Sequence, residues 1–447
     1  MTELEDKIAD RTAHVAVIGL GYVGLPLATA FAKAGFRVTG VDVNREKVDA
    51  LNQRRSYIPD VPDADLAPHV ESGRLAATTD YDVLAETDAV FICVPTPYDA
   101  QRSPDLSYIE AASEAIEPRL RPGQLIVLQS TTYPGTTVEI VQPILERDGL
   151  KAGVDFHLAF SPERIDPGNQ DWSAYNTPKV VGGLTPRCTE LAAELLRQMG
   201  AQVHPVSSPE TAEMTKLLEN TFRAVNIALV NELALLAERM GIDFWEVVAA
   251  AKTKPFGFMA FYPGPGVGGH CIPIDPYYLS WKAREYDYYT EFIELAGEVN
   301  QAMPHHVVDL VSQALSSAGK PLRDARVLVL GVTFKPDIDD ARNSPSERVI
   351  ELLIRRQAAV RYHDPYAPRY RVGGDVFHRE PIVLESVPLT DEELAAADCV
   401  VIVTGHHDLG YARVVAQAQL VVDTCNATAS VPDDANKVVR LGAPFRR

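Results

Sequence analysis

The sequence predicts an α/β chain: two Rossmann-like, doubly wound parallel-sheet domains joined by a central helical region with one long helix. Short, continuously apolar runs rich in Val, Ile and Phe alternate with helical stretches in the first and last parts of the chain. That is the pattern of a parallel sheet covered on both faces. A GxGxxG motif follows the first of those runs, and a run without Gly or Pro, from Glu210 to Met240, separates the two alternating regions. Such a run is long for a globular helix. A chain of 447 residues exceeds one ordinary core. The expected divisions are 10–207, 208–318 and 319–447.

In the first division the strand-like runs are HVAVIG, FRVTGVD, AVFICVP, QLIVLQS and FHLAFSP, and LPLATAFAKAG and TTVEIVQPILERDG read as helices between them. Gly19-Leu20-Gly21-Tyr22-Val23-Gly24 joins the first strand to the first helix. Glycines at these places allow a tight turn and a close approach of backbone to a pyrophosphate, which the helix N-terminus attracts. Asp42 ends the next strand, where a carboxylate accepts the adenosine ribose hydroxyls and repels a 2′-phosphate. NAD is therefore expected rather than NADP, with Arg45 and Lys47 as nearby cations that temper that exclusion.

Ser208, Pro209 and Gly241 read as N-cap, first turn and C-cap of the long helix. Leu217, Leu218, Phe222, Val225, Leu229, Val230, Leu233 and Leu236 cover more than one of its faces, so burial between domains or subunits is expected. Lys216 and Asn220 share a face at i and i+4, either as a polar site in a cleft or as a solvent-facing pair. After the helix comes a stretch dense in Gly and Pro, from Phe256 to Pro276, with Cys271 near its end and a helical run, PYYLSWKAREY, beyond it. Glycine and proline fix an irregular backbone that can approach a ligand. A thiol near a helix N-terminus is favoured as thiolate. Cys93 and Cys399 lie in apolar strands and read as small buried hydrophobes.

From about residue 325 the alternation resumes with RVLVLGV, SPSERVIELLIRR, AAVRYHD, ADCVVIVTG and QLVVDTC, and this second α/β region lacks GxGxxG. The net charge of −19 opposes nucleic-acid partners. Five scattered cysteines without CxxC spacing argue against zinc and a disulfide framework, so no metal is expected. The opening MTELEDKIADRT has no apolar core of a signal peptide, and no apolar run is long enough for a bilayer. A cytoplasmic protein without a membrane partner is the expectation.

Taken together, VIGLGYVGLPLA, VPTP (Val94 to Pro97), STTYPGTT (Ser130 to Thr137), SPER (Ser161 to Arg164), KLLENTFRAVNIALVNELA, GPGVGGHCIPIDP and GVTFKPDIDDARNSP resemble the UDP-glucose/GDP-mannose dehydrogenase family from Val15 to about Thr424. The resemblance implies an N-terminal NAD domain, a central helical dimerisation region and a C-terminal nucleotide-sugar domain. It implies Cys271 as nucleophile, Lys216 and Asn220 beside the reacting carbon, and Asp275 orienting a water or polarising Lys216. Glu163 resembles the acid serving thioester hydrolysis, and Thr131 a hydroxyl near the nicotinamide. Tyr22, Val23, Thr96, Lys47 and Arg342 fall on the cofactor side of the match. Arg164, Phe261, Tyr262, Gly268, Phe334 and Lys335 fall on the substrate side, with Tyr262 to Gly268 lining a uridine phosphate pocket. The chain departs from the pattern at Pro167, beside Asp166, where relatives acting on UDP-glucose carry a second acid.

The implied activity is a four-electron oxidation of a sugar C6 from alcohol to carboxylate with two NAD, a UDP-sugar as substrate and a homodimer or higher homo-oligomer as the assembly. The loop FYPGPGVGGHCIPIDP resembles the branch acting on UDP-N-acetylhexosamines, foremost UDP-N-acetyl-D-glucosamine, with UDP-N-acetylmannosamine and then UDP-glucose as rivals. His270 stands where the UDP-glucose and GDP-mannose branches more often have Ser; packing and a substrate role are both open to it. Two other classes stay open: a two-electron hydroxyacid dehydrogenase and a non-catalytic nucleotide-sugar sensor.

Overall fold

The computed structural model describes residues 3–98, 103–165, 171–172, 176–374, 380–433 and 435–445. Asp166 and Pro167, the departure from the family pattern, lie outside the described residues. The chain divides into two compact units, Met1–Glu219 with Trp281–Tyr288, and Asn220–Ser280 with Tyr289–Arg447.

The first unit holds strands β1 His14–Ile18, β2 Arg37–Val41, β3 Leu75–Thr78, β4 Ala89–Ile92, β5 Leu125–Leu128, β6 His157–Phe160, β7 Lys179–Gly183 and β8 Val203–Val206. They form an eight-stranded sheet in the order β3-β2-β1-β4-β5-β6-β7-β8. Strand β1 pairs in parallel with both β2 and β4. The strand order therefore reverses at β1, which opens a crevice beyond the carboxyl ends of these strands. Every residue of β1, β4 and β5 is buried, as expected of strands covered on both faces. Phe31, on the helix Gly24–Ala34, packs edge-on against Phe36 and at 5.1 Å from the Phe91 ring. One pairing departs from the expected parallel sheet: β7 runs antiparallel to β6, with Ala159 opposite Gly183. Between them the sequence SPERIDPGNQDWSAYNTP has no apolar helical period for a crossover, which a parallel return requires. The returning segment at 281–288 docks on this unit through Trp281, 5.1 Å from the Tyr133 ring, and through Lys282, whose Nζ lies 2.6 Å from Glu139.

The second unit holds β9 Arg326–Leu330, β10 Ala359–His363, β11 Arg369–Val372, β12 Ile382–Glu385, β13 Cys399–Ile402, β14 Val421–Asp423 and β15 Val438–Arg440. A parallel five-stranded sheet runs β10-β9-β13-β14-β15, and β11 and β12 form a separate antiparallel pair. Val230 and Ala234 from the long helix and Met303, Val307 and Val311 from the helix Glu291–Ser317 share one core with Val327, Val329 and Val401 of the sheet.

The long helix is Pro209–Met240, 32 residues, so its first turns belong to the first unit and the rest to the second. Ser208 Oγ accepts the Thr211 N–H at 3.3 Å, and Gly241 follows the last turn with φ 73°. These are the cap and terminator that the sequence suggests. Leu217 is buried, whereas Leu218, Phe222, Leu229, Leu233, Leu236 and Met240 form an exposed apolar stripe. Among the described residues no helix is long and apolar enough to cross a membrane.

Candidate active site

In the first unit, the strand–turn–helix at Gly19 to Gly24 is built around its glycines. Gly19 has φ 89°, and a Cβ there would lie 2.6 Å from the Cys93 carbonyl oxygen. At Gly21 a Cβ would meet nothing within 4 Å, so the backbone faces open space, as close approach of a pyrophosphate requires. Tyr22 and Val23 are half-buried in that turn. Asp42 is buried. Its Oδ2 accepts the Leu20 N–H at 2.8 Å and its Oδ1 the Asn44 N–H at 2.8 Å. Lys47 Nζ lies 3.5 Å from Asp42 and 5.9 Å from the Tyr57 ring centre, which gives this cation a local partner. These residues fit a dinucleotide: an open glycine backbone, a helix N-terminus and an anchored acid at the next strand end.

Thr96 and Thr131 come together, with Thr96 Oγ1 donating to the Thr131 carbonyl at 2.7 Å. The loop after Thr131 is tied to the long helix by buried Glu213. Its carboxylate accepts the Gly135 N–H at 2.6 Å, the Thr137 N–H at 3.0 Å and the Thr137 hydroxyl at 2.7 Å. Burial nevertheless pushes the Glu213 carboxyl up to about 7.

Glu163, just past β6, is buried and surrounded by donors. Lys179 Nζ lies 2.8 Å from each of its oxygens, Gln129 Nε2 2.8 Å from Oε2, and the Arg164 and Ile165 N–H groups 2.7 and 3.0 Å from Oε1. Burial raises a carboxyl, but here the Lys179 charge and these hydrogen bonds outweigh it and hold Glu163 below the usual range. The main-chain carbonyl of Glu163 accepts from Lys216 Nζ at 2.6 Å. Arg164 pairs with Glu219 at 2.6 Å and donates to the Pro178 carbonyl at 2.8 Å.

In the second unit, Cys271 is half-buried, while Cys399 of β13 is sealed in the sheet, where burial pushes its thiol up. The helix Asp275–Ala283 starts just after Cys271, whose carbonyl accepts the Asp275 N–H at 2.8 Å. Asn220 Nδ2 donates to Asp275 Oδ2 at 2.6 Å, and both side chains are buried. For Asn220 the structure therefore excludes a solvent-facing placement. Three amides fasten the front of the loop: the Gly264 N–H donates to Asn231, Asn231 to Asn300, and Asn300 to the Ala224 carbonyl. Phe261 packs edge-on to Phe222, and half-exposed Tyr262 stacks on Trp245.

The rear of the loop is stitched to residues 334–343 of the same unit. The Gly269 N–H donates to the Arg342 carbonyl, Asn343 Nδ2 donates to the Gly269 carbonyl, and a Cβ on Gly268 would sit 2.7 Å from Phe334 Cβ. His270 meets the Phe334 ring edge-on, and its Nε2 lies 3.2 Å from Asp340. Arg342 grips the same carboxylate through Nε and Nη2, at 2.9 and 2.7 Å. Lys335 is half-buried. The turn bearing Phe334 and Lys335 is held from below by fully buried His406. Its Nδ1 accepts the Asp337 N–H at 2.9 Å, so Nε2 carries the proton and donates to Asp364 at 3.0 Å. A cavity of about 530 Å³ lies between Ile272, Pro273, Tyr277, Asn343 and Arg348. Among the described residues, no group of three or more His, Cys, Asp or Glu side chains could hold a metal ion.

Sequence reading passed over Lys179, Gln129, Glu213, Asp340, His406 and Asp364. Only Lys179 carried a visible signal, a lone lysine opening the apolar strand KVVGG.

Family models match the chain in three consecutive stretches: UDP-glucose/GDP-mannose dehydrogenase family, NAD binding domain, over 13–200; central domain over 210–302; and UDP binding domain over 328–430. An NDP-N-acetyl-D-galactosaminuronic acid dehydrogenase of Ralstonia solanacearum is 36% identical over 426 residues, 92% of this chain and 95% of that one. A UDP-N-acetyl-D-glucosamine 6-dehydrogenase of Pseudomonas aeruginosa is 40% identical over 354 residues, 79% of this chain and 82% of that one. The solved UDP-D-ManNAc dehydrogenase of Pyrococcus horikoshii superposes with a TM-score of 0.87 at 32% identity, covering 97% of this chain and 100% of that one.

Proposed function

The chain belongs to the UDP-glucose/GDP-mannose dehydrogenase family and is an NAD-dependent UDP-sugar dehydrogenase, and from that premise we propose that it oxidises C6 of a UDP-N-acetylhexosamine to the uronic acid, with Cys271 as covalent catalyst. UDP-N-acetyl-D-glucosamine is the proposed sugar. UDP-N-acetyl-D-mannosamine is the nearest rival, since relatives of both kinds are comparably similar to this chain. The observation that carries the reading is Cys271 itself, a half-buried thiol just before a helix, next in sequence to an irregular loop fastened at both ends.

Gly19, Gly21, Tyr22, Val23, Gly24, Asp42, Lys47, Thr96 and Arg342 are the proposed contacts of NAD, which when bound accepts the hydride leaving C6 in each of two oxidations. The first leaves an aldehyde. The Cys271 sulfur adds to that carbon, giving a thiohemiacetal that can lose a second hydride and become a thioester. Water cleaves the thioester, so one alcohol, two NAD and one water give one carboxylic acid, two NADH and two protons. Lys216 and Asn220 supply donors for the oxyanion at the tetrahedral stages, and Asp275 fixes the Asn220 amide. Glu163 takes or relays the proton of the hydrolytic water, and Thr131 lies on the nicotinamide side. Arg164, Phe261, Tyr262, Gly268, Phe334 and Lys335 are the proposed substrate contacts.

The division into 10–207, 208–318 and 319–447 follows the same reading, with the middle part pairing two copies. The exposed stripe from Leu218 to Met240 is the surface proposed for that homodimer. A cytoplasmic enzyme supplying a uronic acid for polysaccharide synthesis completes the proposal.

The test is a count of NADH per UDP-sugar consumed, across UDP-glucose, the UDP-N-acetylhexosamines and GDP-mannose. Two NADH per sugar and the fastest initial rate on UDP-N-acetyl-D-glucosamine are expected. One NADH, or none, removes the four-electron reading. Cys271→Ser is expected to bind NAD normally and to form no acid; unchanged turnover removes the nucleophile.

A further inference from the structure

The most deeply buried cation described in the first unit is not one of the residues proposed for the reaction. Lys179 opens β7 with a fully buried side chain. An ammonium in a dry interior is costly unless it is paired and hydrogen-bonded. Lys179 Nζ donates to both carboxylate oxygens of Glu163, at 2.8 Å each. The same carboxylate closes back on its own turn through the Arg164 and Ile165 N–H groups. The Glu163 main-chain carbonyl in turn accepts from Lys216 Nζ, 2.6 Å away. Two lysines therefore meet one residue, Lys179 at its side chain and Lys216 at its backbone. The antiparallel pairing of β6 and β7 brings the start of β7 to this turn, and Ser161 Oγ, bonded to the Val180 carbonyl at 2.8 Å, locks the register.

We propose that Lys179 is a positioning residue of the reaction: its ammonium keeps the Glu163 carboxylate anionic and folded into the Ser161–Ile165 turn, and thereby sets the carbonyl that holds the Lys216 ammonium. The inference rests on the reading above that Glu163 and Lys216 serve the chemistry. A pair that served the fold alone would show itself in stability and leave the pH profile where it is. Without the Lys179 charge the buried Glu163 carboxyl protonates more readily, so the acidic limb of kcat moves to higher pH.

The experiment compares Lys179→Met, Lys179→Arg, Glu163→Gln and the double variant Lys179→Met/Glu163→Gln in the full chain, with kcat and KM measured from pH 5 to 9. Lys179→Met is expected to lose about a hundredfold in kcat, to keep its KM for NAD within about twofold, and to shift the acidic limb upward. Lys179→Arg, which keeps the charge, is expected to restore most of kcat and the original limb. The double variant removes the buried charge pair together, so it reports even where Lys179→Met does not fold; it is expected to be no slower than Glu163→Gln. A Lys179→Met enzyme with parental kcat and limb overturns the proposal, as does a double variant slower than Glu163→Gln by the full Lys179→Met factor. Glu163→Gln at the parental rate removes instead the reading of Glu163 on which the proposal rests.

Discussion

Asp42 and Asp364 occupy the same station in two different sheets. Each follows the strand beside the first strand of its unit, β2 for Asp42 and β10 for Asp364. Each turns Oδ2 onto the N–H two residues beyond that first strand, Leu20 at 2.8 Å and Val332 at 2.7 Å, and Oδ1 onto the N–H two residues after itself. The glycine between is repeated too. Gly19 and Gly331 have φ 89° and 80°, and a Cβ on either would press on a carbonyl oxygen just beyond a neighbouring strand, that of Cys93 or Thr404. From there the units part. In the first, the turn continues as Leu20-Gly21-Tyr22-Val23-Gly24 straight into a helix. In the second it continues through Phe334 and Lys335, and the wholly buried His406 ring donates to the acid. An acid at this station is first a clamp on the strand–turn junction. In the second unit a buried imidazole closes on the acid as well, whereas in the first the further side chain beside it is Lys47, 3.5 Å away and partly exposed.

That contrast can be broken most forcefully at His406. His406→Leu leaves the Asp364 carboxylate buried beside an apolar group and frees the Asp337 N–H. A loss of about 3 kcal/mol is expected, seen as an early unfolding transition; an unchanged melting curve would mean that the ring does not close this station. Asp42→Asn probes the open station. NAD affinity is expected to fall about tenfold, roughly 1.4 kcal/mol, in a titration where Asp364→Asn leaves it unchanged. Equal losses from the two substitutions would end the distinction.

The last contrast is in pH, where the units should run in opposite senses. Glu213, in the first unit, is raised from 4.5 to about 7 by burial. The native state therefore keeps a proton that the unfolded chain releases, and stability falls as pH rises from about 4.5 to 7. Asp364, in the second, is held below the ordinary carboxyl value: burial raises it, but the His406 hydrogen bond and the Val332 N–H more than offset that. Its contribution is present above the ordinary value and is lost as pH falls through the lowered one. Hydrogen exchange resolved by unit should show the first unit loosening toward neutral pH, by up to about 3 kcal/mol, and the second toward acid. Parallel slopes in both would refute the assignment.

What could be read from the chain followed from local chemistry. GLGYVG and Asp42 are short-range signals, because a turn and the next strand end are fixed by neighbours in sequence. The long helix was legible in its caps and its unbroken interior, and the cysteine loop in its density of Gly and Pro. Partnerships formed across the sheet were not legible. Lys179 and Glu163 are 16 residues apart and meet because β7 returns antiparallel. His406 and Asp364 are 42 apart and meet because the strands before them, β13 and β10, both flank β9. Nothing in the spacing of either pair announces it. The sheet of the first unit was legible only in its longest apolar runs. LAAT, KVVGG and VHPV are too short to stand out as apolar runs, and so β3, β7 and β8 came from the structure.

Trp281 and Lys282 belong to the first unit although more than sixty residues of the second precede them, from Asn220 to Ser280. Until the ribosome has passed that stretch, the Tyr133 face and the Glu139 carboxylate wait without the indole and the ammonium that cover them. The amino-terminal half therefore cannot mature as a finished bead while the rest is being synthesised. Its last piece arrives only after the long helix and the cysteine loop have been made, which links the birth of the two halves in time.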